Sequence, residues 1–243
     1  MEKIERLNEI IRKSNRIVIF SGAGVSTESG IPDYRSEGGL YDNRGNGVSP
    51  EKVLSHDFFM YFTEEFYDFY KSKMMHLDAK PNPAHTKAYE LEKCGKLSAV
   101  ITQNIDGLYQ SAGCKNVFEL HGSVNKNTCM KCGKKYDARF VKSSSGAPMC
   151  TCGGTVKPDV VLYEEMLDES VVSGAIEAVA NADCLIISGT SLAVYPAAGL
   201  IKYFKGENIV VINKDDIKVN AKVSLIINEK VGETMAQICC ICD

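Results

Sequence analysis

The sequence predicts an α/β protein built on a doubly wound parallel sheet. Short apolar runs, each long enough for one buried strand, recur at residues 16–20, 98–101, 184–187 and 209–212, with a further candidate at 223–227. Helical patterns lie between several of them, at 84–94, 168–181 and 195–204. Nearly continuous apolar runs are typical of strands covered on both faces, and alternation of strands with helices favours parallel pairing.

Length and composition limit the classes of protein to consider. The chain has 243 residues, 44% hydrophobic and 24% charged, as in a globular protein with one large domain or a domain with an insert. A net charge of −3 argues against a nucleic-acid partner, and the lack of an apolar run of membrane-spanning length argues against a membrane partner. The charged N-terminus does not resemble a signal peptide, and ten cysteines then suggest a reducing compartment. We therefore expect a cytoplasmic protein.

The order of patterns along the chain predicts the domains. Residues 2–14 have the apolar spacing of a first amphipathic helix. Two segments then interrupt the α/β rhythm: 36–80, rich in aromatic residues and helical in pattern, and 125–157, short, polar and marked by cysteines. We predict an α/β domain formed by residues 1–35, 81–124 and 158–243, and a small lobe formed by the two inserts.

A glycine-rich segment follows the first strand. Gly22 and Gly24 stand where a strand would turn into a helix, and such a turn brings backbone N–H groups and a helix N-terminus toward a phosphate. The common dinucleotide fingerprint has another glycine where this chain has Thr27, so the match is incomplete. A tight turn without a ligand is the alternative.

The end of this segment is polar and aromatic. Gly30, Ile31 and Pro32 should steer the chain away from a helix, which leaves a loop near the phosphates that carries Asp33, Tyr34 and Arg35. Arg35 could meet a phosphate or hold Asp33, and Tyr34 could cover a ring. A solvated Asp–Arg pair on a surface loop is the alternative.

Three other strand ends carry polar side chains. Carboxyl ends of parallel strands share one edge of the sheet, where ligands bind, and amides and hydroxyls suit ribose and carboxamide groups. Capped loops would explain each cluster separately, whereas their recurrence favours a ligand. The residues are Gln103, Asn104 and Asp106; Gly189, Thr190 and Ser191; and Asn213.

His121 lies in the stretch FELHGS, where we predict a short strand, and could act as a general base near neutral pH. Taken alone, a histidine that is merely hydrogen-bonded is the better explanation.

Four cysteines predict a structural Zn²⁺ site, one per chain. Cys129 and Cys132 form a CxxC pair, Cys150 and Cys152 form a CxC pair, and seventeen residues separate the two pairs, with glycines after both. Four thiolates close the coordination sphere of zinc, so the metal would not be catalytic. The tighter CxC loop could distort one ligand, and a redox pair is the rival interpretation. Cys94, Cys114 and Cys184 are expected to be core thiols.

Together these segments resemble the sirtuins, a family of NAD-dependent protein-lysine deacylases, in a compact bacterial form. The stretches GAGVSTESGIPDYR, TQNIDGL, HG, the four cysteines, KPDVVLYEE, GTSLAVYP and IN follow the family's order from residue 22 to 213. The resemblance implies a Rossmann-like NAD-binding domain, a small lobe made of a helical insert and a zinc ribbon, and a cleft between them that binds NAD.

The resemblance also implies a role for each site residue. Catalytic roles go to His121, as general base, and to Asn104 and Asp106. Contacts to NAD are expected from Gly22, Ala23, Gly24, Thr27, Ile31, Asp33, Tyr34, Arg35, Gln103, Asn104, Ile105, Asp106, His121, Gly189, Thr190, Ser191, Asn213 and Val231. Contacts to the substrate peptide, bound as an added strand, are expected from Val160, Val161, Leu162, Tyr163 and Val194.

The implied reaction gives deacylated lysine, nicotinamide and O-acetyl-ADP-ribose, by an enzyme that is expected to be monomeric. Three positions depart from the family pattern: Tyr34 replaces a phenylalanine, Tyr109 replaces a histidine and Glu164 replaces a glycine. Members that prefer acidic acyl groups carry a Tyr-x-x-Arg pair, to which Tyr70-x-x-Lys73 is the nearest match, so we expect acetyl to be favoured over succinyl. A mono-ADP-ribosyltransferase and a non-catalytic NAD-binding module are the competing functions.

Overall fold

Six parallel strands form the central sheet of the computed structural model, which describes residues 2–34, 39 and 48–239. A second, antiparallel sheet has three strands. The strands in chain order are β1 (Ile17–Ser21), β2 (Leu97–Thr102), β3 (Val117–Glu119), β4 (Gly122–Cys129), β5 (Lys135–Tyr136), β6 (Val156–Val160), β7 (Cys184–Ser188), β8 (Asn208–Ile212) and β9 (Leu225–Ile227).

Helices cover the central sheet and build the small lobe. They are α1 (Glu2–Lys13), α2 (Pro50–Val53), α3 (His56–Tyr61), α4 (Thr63–Lys73), α5 (Pro83–Lys93), α6 (Leu108–Ala112), α7 (Ala138–Ser143), α8 (Glu169–Asn181) and α9 (Val231–Met235). Helical segments of the 3₁₀ type occupy Ala23–Val25, Thr27–Ser29 and Ala197–Tyr203.

The sheet is buried because its strands send apolar side chains to both faces. In β1, Ile17 and Ile19 join a core formed with α1, α5, α6 and α9, whereas Val18 and Phe20 join a core formed with α8 and the segment Ala197–Tyr203. This is the two-residue alternation of a strand between two helical layers. Burial of both faces of the sheet thus explains the continuous apolar runs in the sequence.

Strand order explains where a ligand can bind. The order is β3-β2-β1-β7-β8-β9, so the chain winds in one direction from β1 to β3 and in the other from β7 to β9. Between β1 and β7 the loops leave the sheet edge toward opposite sides, which creates a crevice at the carboxyl ends of these two strands. The glycine segments after β1 and β7 both lie at this switch point.

A third core belongs to the small lobe. Aromatic rings of α3 and α4 pack edge-on or stacked: Phe59 against Phe66 with ring centroids 5.0 Å apart, and Phe66 against Tyr70 at 5.4 Å. These rings contact buried residues of β4 and β6, including Cys129 and Val156. The two segments that interrupt the α/β pattern therefore share one core, although the exact domain boundaries stay a prediction.

The structure corrects several sequence expectations. The segment predicted as a helix at 195–204 is a 3₁₀ helix, and the chain after Gly24 forms two 3₁₀ turns instead of a longer helix. The short strand predicted in FELHGS is β3, which ends at Glu119, before His121. Cys114 and Cys184 are buried thiols as expected, whereas Cys94 is disulfide-bonded.

Within the described part of the chain, no helix combines the length and the apolar character needed to cross a bilayer.

Candidate active site

Two glycine turns are in direct contact where β1 and β7 end. The amide of Gly24 donates to the carbonyl of Gly189 across 2.8 Å, and the amide of Gly22 donates to Ser188 across 3.1 Å. A Cβ atom on Gly24 would lie 2.9 Å from the Cα of Gly189, and Gly189 has a φ of +56°. Glycine satisfies both requirements because it has no Cβ. These glycines therefore join the two halves of the sheet edge.

This contact changes the role of the first glycine turn. The amide of Gly24 already donates to the second turn and the amide of Gly22 to Ser188, the last residue of β7, so neither is a free donor for the phosphate that the sequence suggested. Ala23, Gly24 and Thr27 nevertheless lie in the wall of a large cavity. The turn thus shapes the crevice more than it supplies hydrogen bonds through its glycines.

The cavity has a volume of about 910 Å³ and runs along this edge of the sheet to the small lobe. Such a volume is at the upper end of ordinary ligand sites. Its wall contains most residues predicted to contact NAD, namely Ala23, Gly24, Thr27, Ile31, Asp33, Tyr34, Gln103, Asn104, Ile105, His121, Gly189, Thr190, Ser191, Asn213 and Val231. It also contains all five residues predicted to contact the peptide, Val160, Val161, Leu162, Tyr163 and Val194.

Two residues predicted to contact NAD lie outside the wall of the large cavity, and a third is not among the described residues. Gly22 lies behind the cavity wall in the contact between turns. Asp106 lines a smaller neighbouring cavity of about 50 Å³, which shares Ile31 and Asn104 with the large one. Arg35 lies outside the described residues, so its expected phosphate contact stays a prediction.

Ser26 connects the residues predicted to bind the nicotinamide end. Its hydroxyl donates to Oδ2 of Asp106 across 2.6 Å and accepts from Nδ2 of Asn104 across 3.1 Å. The Asn104 amide also donates to the carbonyl of Gly22 across 3.1 Å. Burial raises the pKa of Asp106, against the hydrogen bonds from Ser26 and the amide of Leu108. The network fixes both side chains before any ligand arrives.

Gln103 offers a hydrogen-bond donor to the cavity. Its Oε1 accepts from the Thr190 hydroxyl across 3.0 Å, which fixes the orientation of the amide. Its buried Nε2 has no partner among the described residues. A buried, oriented and unpaired donor is costly unless a ligand or water accepts from it, so this group fits the hydroxyls of a ribose.

His121 lies in the turn between β3 and β4, not on a strand. Its Nδ1 is 2.9 Å from the backbone carbonyl oxygen of Gln103. A carbonyl oxygen can only accept, so Nδ1 carries the proton. The neutral ring then keeps Nε2 as an acceptor. Burial lowers the pKa of His121 below its usual 6.5, against the hydrogen bond to Gln103. The side chain is therefore available as a base at neutral pH.

The far end of the cavity contains a residue that the sequence did not single out. Asn213 and Val231 lie there as predicted, and the amides of Gly232 and Glu233 donate to the carboxylate of Glu28, at 2.7 and 3.1 Å. Glu28 thus ties the glycine segment to the start of α9. The contact spans 204 positions of sequence, so no local pattern could predict it.

The predicted peptide-binding segment is anchored by its own backbone. The amides of Val161 and Tyr163 donate to the carbonyls of His121 and Leu54, both at 2.9 Å. Glu165 accepts from the Leu162 amide at 3.0 Å and pairs with Lys157 at 3.1 Å and with Nδ1 of His56 at 2.9 Å. These groups hold the segment in place, so they are not free to bind a peptide.

Glu164 has a backbone conformation that favours glycine. Its φ is +76°, in the left-handed region, at the position where the family pattern has a glycine. Its carboxylate accepts from the amide of Asp57 across 3.1 Å, at the start of α3. The side chain thus links the predicted peptide-binding segment to the small lobe, which a glycine could not do.

The four cysteines form a compact group that fits zinc. Their sulfur atoms all lie within 4.8 Å of one another, with Cys129–Cys152 at 3.5 Å and Cys132–Cys150 at 3.6 Å. A tetrahedron with Zn–S bonds of about 2.3 Å has sulfur–sulfur edges of about 3.8 Å. The CxC pair therefore brings both sulfurs into place. The Tyr136 hydroxyl lies 3.0 Å from the sulfur of Cys150 and supports one ligand from outside.

Comparison with known proteins gives consistent matches. The sequence profile of the Sir2 family matches residues 22–196. An NAD-dependent protein deacetylase of Clostridium perfringens (strain 13 / Type A) is 55% identical over 240 residues, 98% of each chain. A solved Sir2 complex with a deacetylated p53 peptide and 3'-O-acetyl-ADP-ribose is 36% identical, with a TM-score of 0.88 over 97% of both chains. A Sir2–p53 peptide–NAD⁺ complex is 37% identical, with a TM-score of 0.85 over 96% of this chain and 95% of that chain.

A parallel sheet with a ligand cavity at its switch point, joined to a four-cysteine lobe, defines a two-lobed dinucleotide-binding protein. The chain belongs to the Sir2 family. The family, the NAD dependence and the deacetylase class predicted from the sequence are thereby confirmed.

Replacing Gly24 with alanine should destabilise the protein and weaken NAD binding, because the new Cβ would clash with the backbone of Gly189. We expect a loss of about 1–3 kcal/mol in the free energy of unfolding, as for other overpacked sites. Gly199→Ala is the control, since its Cβ would meet only Tyr195 at 3.8 Å. Denaturant titration and calorimetry with NAD measure both effects, and equal behaviour of the two variants would contradict the role of the glycine contact.

Removal of zinc should unfold the small lobe, because Cys129 and Cys150 belong to its core. Metal analysis of the purified protein should give one zinc per chain, and a chelator should lower the Tm and abolish deacetylation. Cys150→Ser should lose the metal, whereas Cys239→Ser, which alters an exposed free thiol, should keep it. Full activity in metal-free protein would refute a structural zinc site.

Proposed function

We propose that this chain removes acetyl groups from protein lysine side chains, with NAD as the consumed co-substrate and His121 as the general base. The observation that carries the proposal is one continuous cavity. Its wall combines the base, the residues predicted to hold NAD and the segments predicted to hold the peptide. A deacylase needs all three groups within reach of each other, and a module that only binds NAD does not need the base.

The residues for the nucleotide are those at the sheet edge. Bound NAD supplies a ribose carbon from which nicotinamide can leave. The Nε2 of Gln103 donates to a ribose hydroxyl, and Asn213 and Val231 hold the adenosine half. Asn104 and Asp106 are held by Ser26 and bind the carboxamide of nicotinamide, whose N–H groups can donate to the carboxylate of Asp106.

His121 is the residue that accepts the proton. Because its Nδ1 proton is engaged by the carbonyl of Gln103, its Nε2 accepts a proton from a ribose hydroxyl in the acyl-transfer step. The carbonyl also stabilises the charged ring once it is protonated. One water is consumed as the acyl group leaves the lysine nitrogen, and deacylated lysine, nicotinamide and O-acetyl-ADP-ribose are the products.

The acyl-lysine enters along the side of the cavity formed by Val160–Tyr163 and Val194. Two amides of the first segment are already used, so added-strand binding would depend on other main-chain groups of 160–163 and of 191–195. Such binding reads little side-chain identity. Similar proteins solved with a p53 peptide support a peptide as substrate.

We also propose a cytoplasmic, monomeric enzyme without nucleic-acid or membrane partners. The net charge of −3 supports the lack of a nucleic-acid partner. The curated relatives are bacterial deacetylases of nearly the same length, which supports a compact enzyme.

Mass spectrometry of an acetyl-lysine peptide, with and without NAD, tests the function. Acetyl should be lost only with NAD, and O-acetyl-ADP-ribose should form. His121→Ala should lower kcat/KM by about 10²- to 10⁴-fold, the usual contribution of a general base, with an unchanged Tm. No deacetylation by folded, zinc-loaded protein would refute the proposal, and stable ADP-ribose on a protein would favour the transferase instead.

The pH dependence should report the lowered pKa of His121. Protonation below that pKa removes the acceptor at Nε2, so activity falls on the acid side and is constant above it with respect to this group. Because burial favours the neutral ring, we expect the acid limb of kcat/KM to lie below pH 6.5. A limb at or above 6.5, or the same limb in His121→Gln, would contradict the assignment.

A further inference from the structure

Part of the cavity wall belongs to the core of the small lobe. Leu54, Tyr70, Val160 and Leu162 line the cavity and are also buried members of that core. Among these four side chains, the hydroxyl of Tyr70 is the polar group. An acyl chain on lysine that reaches into the small lobe would contact these residues.

The Tyr70 hydroxyl has no hydrogen-bond partner among the described residues, although the side chain is 0% exposed. Tyr67, one turn earlier on α4, shows the ordinary arrangement: its hydroxyl donates to the carbonyl of Val156. Burial, followed by the effects of Tyr67, Tyr34 and Asp159, raises the pKa of Tyr70. Tyr70 is thus a neutral, buried and unpaired donor in the cavity wall.

The charges around Tyr70 do not suit an acidic acyl group. The cationic residues described in the wall are Lys214 and Lys230, which neighbour Asn213 and Val231 at the adenosine end. Lys73 is exposed and lines the smaller cavity instead, so Tyr70 and Lys73 do not form the pair that the sequence suggested. A buried carboxylate here would have no cation, and the charge of Asp159 would oppose it.

We propose that Tyr70 determines acyl specificity, and that the site prefers short lysine acyl groups that carry a neutral hydroxyl over the same chains without it. The proposal rests on the proposed deacylase function. An acyl hydroxyl accepts from Tyr70 and satisfies it, whereas a plain alkyl chain leaves the buried donor unpaired. The chemistry of acyl transfer is unchanged, since Tyr70 touches only the far part of the acyl chain.

Competition between matched substrates tests this. One peptide is prepared in four forms that make two matched pairs: 3-hydroxybutyryl-lysine with butyryl-lysine, and 2-hydroxypropionyl-lysine with propionyl-lysine. For each form, kcat/KM is measured with saturating NAD. For at least one pair, the ratio of hydroxylated to plain substrate should fall by about three- to tenfold in Tyr70→Phe, as expected for one neutral hydrogen bond. Tyr67→Phe is the matched control and should leave both ratios unchanged.

Thermal unfolding without peptide separates a specificity role from a structural one. Tyr67→Phe should lower the Tm because it loses the bond to Val156, whereas Tyr70→Phe loses none. If the ratios in Tyr70→Phe stay within about twofold of the wild-type ratios for both pairs, and deacetylation is normal, the inference is overturned but the proposed function is not. An equal fall in Tm for the two variants would also overturn it. Wild-type protein that removes no acetyl would refute the proposed function and the inference with it.

Discussion

The contact between Gly24 and Gly189 is the constraint on which the rest of the site depends. Its 2.8 Å hydrogen bond joins the loops after β1 and β7, the two strands at which the chain reverses its direction of winding. With these loops held together, the cavity wall can continue from Ala23 on one side to Thr190 on the other. A larger residue at either position would separate the loops, because the new atoms would meet backbone.

The side chains of the site are oriented by the same contact. Thr190 follows Gly189 and donates to the side-chain amide of Gln103, and the backbone carbonyl of Gln103 holds His121. On the other side, Ser26 follows the first turn and holds Asn104 and Asp106. Residues of two adjacent turns therefore contact Gln103, which holds His121, and the two residues proposed to bind nicotinamide. This supports separate roles for the two sets of hydrogen bonds, one in proton transfer and the other in the departure of nicotinamide.

The sequence predicted the features that have a local cause. Apolar runs identified β1, β2, β7 and β8, and cysteine spacing identified the metal site, because burial and coordination impose patterns on neighbouring residues. It did not predict Ser26 or Glu28 as links within the site. Their partners lie 80 and 204 positions away, and a serine or glutamate near a turn has many ordinary explanations. The predicted helix after Gly24 was wrong for a related reason, since the amides of the turn bind a strand end that is distant in sequence.

In the proposed function, NAD cleavage and lysine deacylation occur in the same cavity and depend on each other. The most direct measurement is the stoichiometry of nicotinamide released to acetyl removed, followed over time with limiting peptide. The account predicts one nicotinamide for each acetyl group, and no release once the peptide is exhausted. Continued release without acetyl-lysine, or deacetylation without nicotinamide release, would contradict it.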